Sequence, residues 1–105
     1  MKFKLIEIKQ SCKKDKKLDA IFKKTKTGKI KRVSFGAKGY PDFTTYSKSL
    51  SPEKAKQKKR QYIKRHQKRE NWNNPIKPGT LSRYVLWNKS SKQASIRDFK
   101  NRFNL

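Results

Sequence analysis

The sequence predicts a small α+β domain: an N-terminal β-hairpin or three-stranded sheet, then a basic helix and two short C-terminal helices. Three observations carry this prediction. Before residue 36, short apolar runs alternate with polar residues and are separated by turns rich in Lys, Thr and Gly. After residue 50, helix-start signals precede segments with helical spacing. Aromatic residues make up 11% of the chain, and a disordered basic tail would be poor in them.

The first strand is expected over 3–8 (Phe3-Lys4-Leu5-Ile6-Glu7-Ile8), with a mixed pattern, followed by a solvated loop over 13–17. Residues 18–23 and 29–35 read as paired strands joined by Lys24-Thr25-Lys26-Thr27-Gly28, whose glycine supplies the positive φ that hairpin turns use. Val33 and Phe35 alternate with Arg32 and Ser34, which suits a half-buried sheet. Residues 36–43 form a structured loop, with Gly36 and Gly39 permitting close backbone approach and Tyr40 and Phe43 pinning it to the core.

Ser51-Pro52-Glu53 starts a helix: a serine cap, a proline at the first position and an acid in the first turn. The helix is expected over 52–69 and carries nine Lys or Arg. Ala55, the aliphatic stem of Lys59 and Tyr62 make a narrow i, i+4, i+7 stripe. Lys56–Arg60 and Arg60–Lys64 are like-charge pairs that a polyanion would relieve. Residues 71–79 break the pattern with two Pro, a Gly and three Asn. Thr80 is expected to cap a helix over 81–88, and Ser95, with Asp98 three residues on, a last helix with Ile96, Phe99 and Phe103 on one face. Tyr84, Trp87, Phe99 and Phe103 are expected in the core; Trp72, in a polar loop, stays open as a base-stacking residue. The domain organisation expected is a basic segment over 1–17, an edge strand plus loop, and one small domain over 18–105.

Charge bounds the function. Thirty-one Lys and Arg against seven Asp and Glu give a net charge of +24. The excess is spread over both halves, +11 in residues 1–50 and +13 in 51–105, unlike an enzyme with a basic appendage. A compact domain so charged repels itself unless salt or an anionic partner neutralises it, and nucleic acids are the commonest cellular polyanions. Apolar residues are 31%, against ~45–50% in an ordinary domain, so the core is thin. The second half holds six of the seven arginines and is the expected recognition surface, because Arg contacts phosphate or base edges directionally.

Other chemistries find little support. Cys12 is the single cysteine and His66 the single histidine, and a zinc site needs about four ligands. His66 lies amid Lys64, Arg65, Lys68 and Arg69, which would repel a metal cation. The seven acids are scattered, whereas a two-metal nuclease clusters its carboxylates. Gly36-Ala37-Lys38-Gly39 lacks phosphate-loop spacing. No catalytic residue, metal or cofactor is assigned, no small-molecule substrate, and no membrane segment or signal peptide.

The candidate phosphate contacts are therefore Lys29, Lys31 and Arg32 on the hairpin; Lys54, Lys58, Lys59, Arg60, Lys64, Arg65, Lys68 and Arg69 on the basic helix; and Arg83 on the next. Gln57, Arg60, Gln61, Asn71, Asn73 and Asn74 are the candidates for reading bases.

Several motifs carry a resemblance. They are Val33-Ser34-Phe35-Gly36-Ala37-Lys38-Gly39-Tyr40, Tyr62-Ile63-Lys64-Arg65-His66, Arg69-Glu70-Asn71-Trp72, Leu81 to Asn88, and Ser95-Ile96-Arg97-Asp98-Phe99 to Phe103. In this order they resemble a family of small basic proteins of unknown function encoded by nucleocytoplasmic large DNA viruses, over residues 32–105. The resemblance implies a viral source, a place in the virion, and host cytoplasm or nucleus during infection; it brings no site residues. Two mechanisms then compete. The chain binds viral DNA, with double-stranded DNA expected, neutralising phosphates in condensation or packaging; or it is a minor capsid or internal scaffold protein contacting capsid or core proteins. The first expects one continuous basic face from helix to hairpin, the second segments that add strands or helices to neighbours.

Overall fold

A computed structural model describes residues 3–105. It has a three-stranded antiparallel sheet, β1 (Phe3–Gln10), β2 (Lys16–Lys24) and β3 (Ile30–Ala37) in the order β1-β2-β3. Then come α1 (Phe43–Ser49), α2 (Pro52–His66), α3 (Pro78–Leu81) running into a π-helical turn (Ser82–Leu86), and α4 (Lys92–Phe103). The α+β class and the N-terminal sheet are as the sequence predicts, in the three-stranded form.

The mixed pattern of β1 has a local cause. The register slips between Leu5 and Glu7, so Ile6 is an extra residue and Leu5 and Ile8 face the same side, opposite Phe22 and Ala20. Without this bulge, residues three apart would lie on opposite faces. Leu5, Leu18, Ala20, Phe22, Val33 and Phe35 form the buried face of the sheet, and Leu81, Val85, Leu86 and Phe99 cover it. The β2–β3 turn closes with Lys24 N–H donating to the Lys29 carbonyl at 2.8 Å, and Gly28 takes a φ of 71° there. At the other end of β3, Gly36 has φ 80° and faces Leu86 so closely that a Cβ would lie 2.7 Å from its Cδ1.

On the opposite face, Asp19 is buried. Ser34 donates to it at 2.6 Å, and Arg32 stands 3.7 Å away. Burial acts to raise the Asp19 carboxyl, but hydrogen bonds from Ser34 and Ser11 and the charges of Arg32 and Lys13 outweigh it, so it is held below the usual carboxylate range.

The helical half and its approach depart from expectation in five places. Phe43, expected to end a loop, begins α1, a helix over 43–49 to which the sequence reading assigns no element, because Asp42 caps it by accepting from Thr45 N–H at 3.0 Å and is itself fixed by Lys17 at 2.8 Å. Lys16 and Lys17, placed in a solvated loop by the sequence, begin β2. α2 stops at His66, whose carbonyl accepts from both Arg69 and Glu70 N–H, so Lys68 and Arg69 lie in a turn. α3 starts at Pro78, and Thr80 is no cap but a buried residue whose hydroxyl donates to the Asn71 carbonyl. α4 is capped by Ser91, accepting from Ala94 N–H at 3.2 Å. Ser95 is buried within the helix and accepts from Lys89 N–H at 2.9 Å, while Asp98 accepts from the Asn88 amide at 2.7 Å.

The expected stripe on α2 is present. Ala55 and Tyr62 are buried, and Tyr62 stacks on Trp87 with ring centres 4.4 Å apart and planes 4° apart. α2 contributes no residue to the central cluster. It is an outer layer, held through α1 and this stack. Phe99 is fully buried, while Tyr84, Trp87 and Phe103 pack partly buried around it.

Candidate nucleic-acid interface

The outward face of α2 presents Lys54, Lys56, Gln57, Arg60, Gln61 and Lys64, all exposed, and Arg65 is exposed on the flank of the helix beside Tyr62. The buried stripe fixes this orientation: with Ala55 and Tyr62 inward, the residues on the opposite side of the helix must face solvent. Lys58 is also exposed, with its ammonium 5.7 Å from the Tyr46 ring centre. Among the described residues, Lys9, Lys17, Arg32 and Arg102 pair with carboxylates, and no Lys or Arg of α2 does. Glu53 is the acid of this helix, in its first turn, where it complements the helix dipole.

Two of the candidate cations are turned inward. Lys59 donates to the Asn88 carbonyl at 2.7 Å and lies over Phe43, 4.9 Å from the ring centre. Burial, aided by Arg83 and Lys89, lowers its ammonium below the usual lysine range. Arg83 donates to the Trp87 carbonyl at 2.7 Å and lies close to the rings of Trp72 and Tyr84. Burial lowers this guanidinium too, with Arg102 adding to the effect. Arg32 is exposed but engaged by Asp19 and by Cys12, to whose sulfur it donates at 3.5 Å. The remaining candidates, Lys29, Lys31, Lys68 and Arg69, are exposed.

His66 and Arg65 at the end of α2 share a cleft with Lys16 and Ala37, the far end of the β2–β3 hairpin from its turn. Lys29 sits at that turn. An eight-residue strand spans about 26 Å, and Lys29 and Ala37 are eight residues apart along β3. Lys29 at the hairpin tip therefore lies about one strand length from the end of β3 that meets α2, with the exposed Lys31 and Arg32 between them.

Trp72 is tied into the fold: its indole N–H donates to Glu70 at 3.0 Å, and Arg83 covers one ring face. The cluster around Glu70 is one that the sequence reading does not find; Glu70 also faces His66 at 3.4 Å. Its i, i+4 spacing to His66 is the available signal. Among the described residues, no group of three or more His, Cys, Asp and Glu could hold a metal ion, and no helix is long and apolar enough to cross a membrane. Compared with known proteins, the chain matches no family model, no curated protein and no solved structure.

Proposed function

We propose that this protein is a non-enzymatic nucleic-acid-binding protein that neutralises phosphates with little sequence preference, with duplex viral DNA as its target in condensation or packaging. The observation that carries the reading is the outward face of α2, where at least four exposed cations project from one rigid helix and none has a carboxylate partner among the described residues. Such a face gains by displacing condensed counterions from a phosphate backbone. Lys and Arg on a single helix face also position a strand without reading it. By the same proposal, the protein acts in the virion, and in host cytoplasm or nucleus during infection.

The test replaces Lys54, Lys58, Arg60 and Lys64 together by Gln, leaving the inward Lys59 in place. Duplex affinity should fall alike for unrelated sequences. The slope of log affinity against log salt should become shallower by up to ~0.9 for each phosphate no longer neutralised. An unchanged slope would remove α2 from the interface.

A second reading, a minor capsid or internal scaffold protein, is favoured by the sheet. β1 and β3 each have a strand neighbour on one side only, and Ile6 and Ile30 on them are 52% and 61% exposed. Open edges with exposed apolar residues accept added strands.

A further inference from the structure

At the C-terminal end of α2, a cleft of about 450 Å³ opens between that helix and the turn 36–42. Its size falls in the range of sites for small organic ligands, ~300–1,000 Å³. One wall is a run of stacked rings. Trp87 lies against Tyr62, and Tyr62 against His66 with ring centres 4.3 Å apart. Tyr40 also lines the cleft, 72% exposed and in no ring–ring contact among the described residues.

Part of the cleft's polar lining is committed, with Lys17 paired to Asp42 at 2.8 Å, and part is not. Lys16 and Arg65 line it, and neither is in an ion pair among the described residues. Glu70 uses Oε2 for the Trp72 indole and for His66. Its Oε1 lies beside Gly79, where a Cβ would come within 2.7 Å, and both residues line the cleft. An exposed ring, two unpaired cations and a second carboxylate oxygen match the parts of a nucleotide: a base face, a phosphate and an exocyclic amine.

We propose that this cleft holds one unpaired nucleotide of a nucleic-acid strand, with its base stacked on Tyr40, its phosphate on Arg65 and Lys16, and its amine on Glu70. The proposal rests on the phosphate-binding reading of α2 and adds to it a preference for strand ends, gaps or single-stranded segments. A base inside a duplex has both faces covered by its neighbours and cannot enter. The free nucleotide shares this chemistry, so the test separates the two.

Binding is followed by fluorescence anisotropy with the full chain and three probes at fixed salt: a labelled single strand of about 12 nucleotides, within the site sizes of single-strand binders, its duplex, and a labelled nucleoside 5′-monophosphate. The single strand should bind more tightly than the duplex. Tyr40→Ala should weaken the single strand by about 5- to 150-fold, the worth of one stacked base, and leave the duplex unchanged; Tyr40→Phe should retain both. Tyr40 is exposed, so the fold should survive either change. Equal effects of Tyr40→Ala on single strand and duplex, or no effect on either, overturn the cleft proposal while leaving α2 as a phosphate-binding face. Absence of binding to either polymer overturns both. Tyr40-dependent binding of the monophosphate without binding of the strand overturns the strand assignment.

Discussion

Asp98 shows how few acids this chain can leave idle. The hydrogen bond from Asn88 is the main reason its carboxyl lies below the usual range, outweighing burial, and Arg102 adds to it. A carboxyl lowered by folding stabilises the native state above its unfolded value of 3.8, and that contribution is lost as pH falls through the lower folded value. Asp19 has the same sign. Between about pH 5 and pH 2, denaturant unfolding of the wild-type chain should therefore lose stability more steeply than that of Asp98→Asn, which should be the less stable at neutral pH. Gly36 gives a second residue-scale prediction. Its φ of 80° and the 2.7 Å approach of Leu86 to an added Cβ should make Gly36→Ala about 1–3 kcal/mol less stable by urea denaturation. The sequence marks Gly36 for close approach but has no means of naming Leu86, fifty residues away. Lys59 and Arg83 read as phosphate contacts in the sequence for the same reason. Their partners are backbone carbonyls at Asn88 and Trp87, and carbonyls leave no trace in a sequence.

At the scale of elements, legibility followed periodicity. β3 announced itself by the alternation of Val33 and Phe35, and the inward stripe of α2 by Ala55, Lys59 and Tyr62; β1 and β2 did so by short apolar runs between turns. α1 has only seven residues, too short for a helical period to register. Its signal was Asp42 accepting from Thr45 N–H, an N-cap hidden among turn residues. Ser91 and Ser95 compete as caps on local chemistry alone; burial decides between them, since Ser95 serves Lys89 inside the fold. The attachment of α2 is the element most open to test. It lies outside the central cluster and leans on Trp87 through Tyr62. Tyr62→Ala should raise hydrogen exchange of the amides of α2 by at least about tenfold, roughly 1.4 kcal/mol of local stability. The amides of β2, at the centre of the sheet, should stay protected. Equal loss of protection in both would show that α2 and the sheet unfold as one unit.

For the whole molecule, charge is the governing quantity. A net +24 with four Lys or Arg in ion pairs among the described residues leaves most of the field uncompensated. Salt should stabilise the free protein: between about 10 mM and 500 mM NaCl, screening should raise its thermal midpoint by about 5 °C, roughly 1 kcal/mol for a domain of this size. Calorimetry across that range checks it, and a midpoint that falls would contradict the picture of self-repulsion. Nucleic-acid affinity should move the opposite way over the same range. Composition shows the excess of positive charge from the outset, but not where the exposed cations lie, which depends on the antiparallel register and on where α2 docks.

The π-helical turn between Ser82 and Leu86 has a consequence for how this chain tolerates change in length. Trp87 N–H reaches back five residues to the Ser82 carbonyl at 3.1 Å, one more than an α-helix would span. Removing one residue between Ser82 and Trp87 would turn this bond into an ordinary four-residue α-helical one, so the chain beyond Trp87 keeps its direction. An insertion has no such outlet and would carry Trp87 away from Tyr62. The segment should therefore accept a single-codon deletion more readily than an insertion.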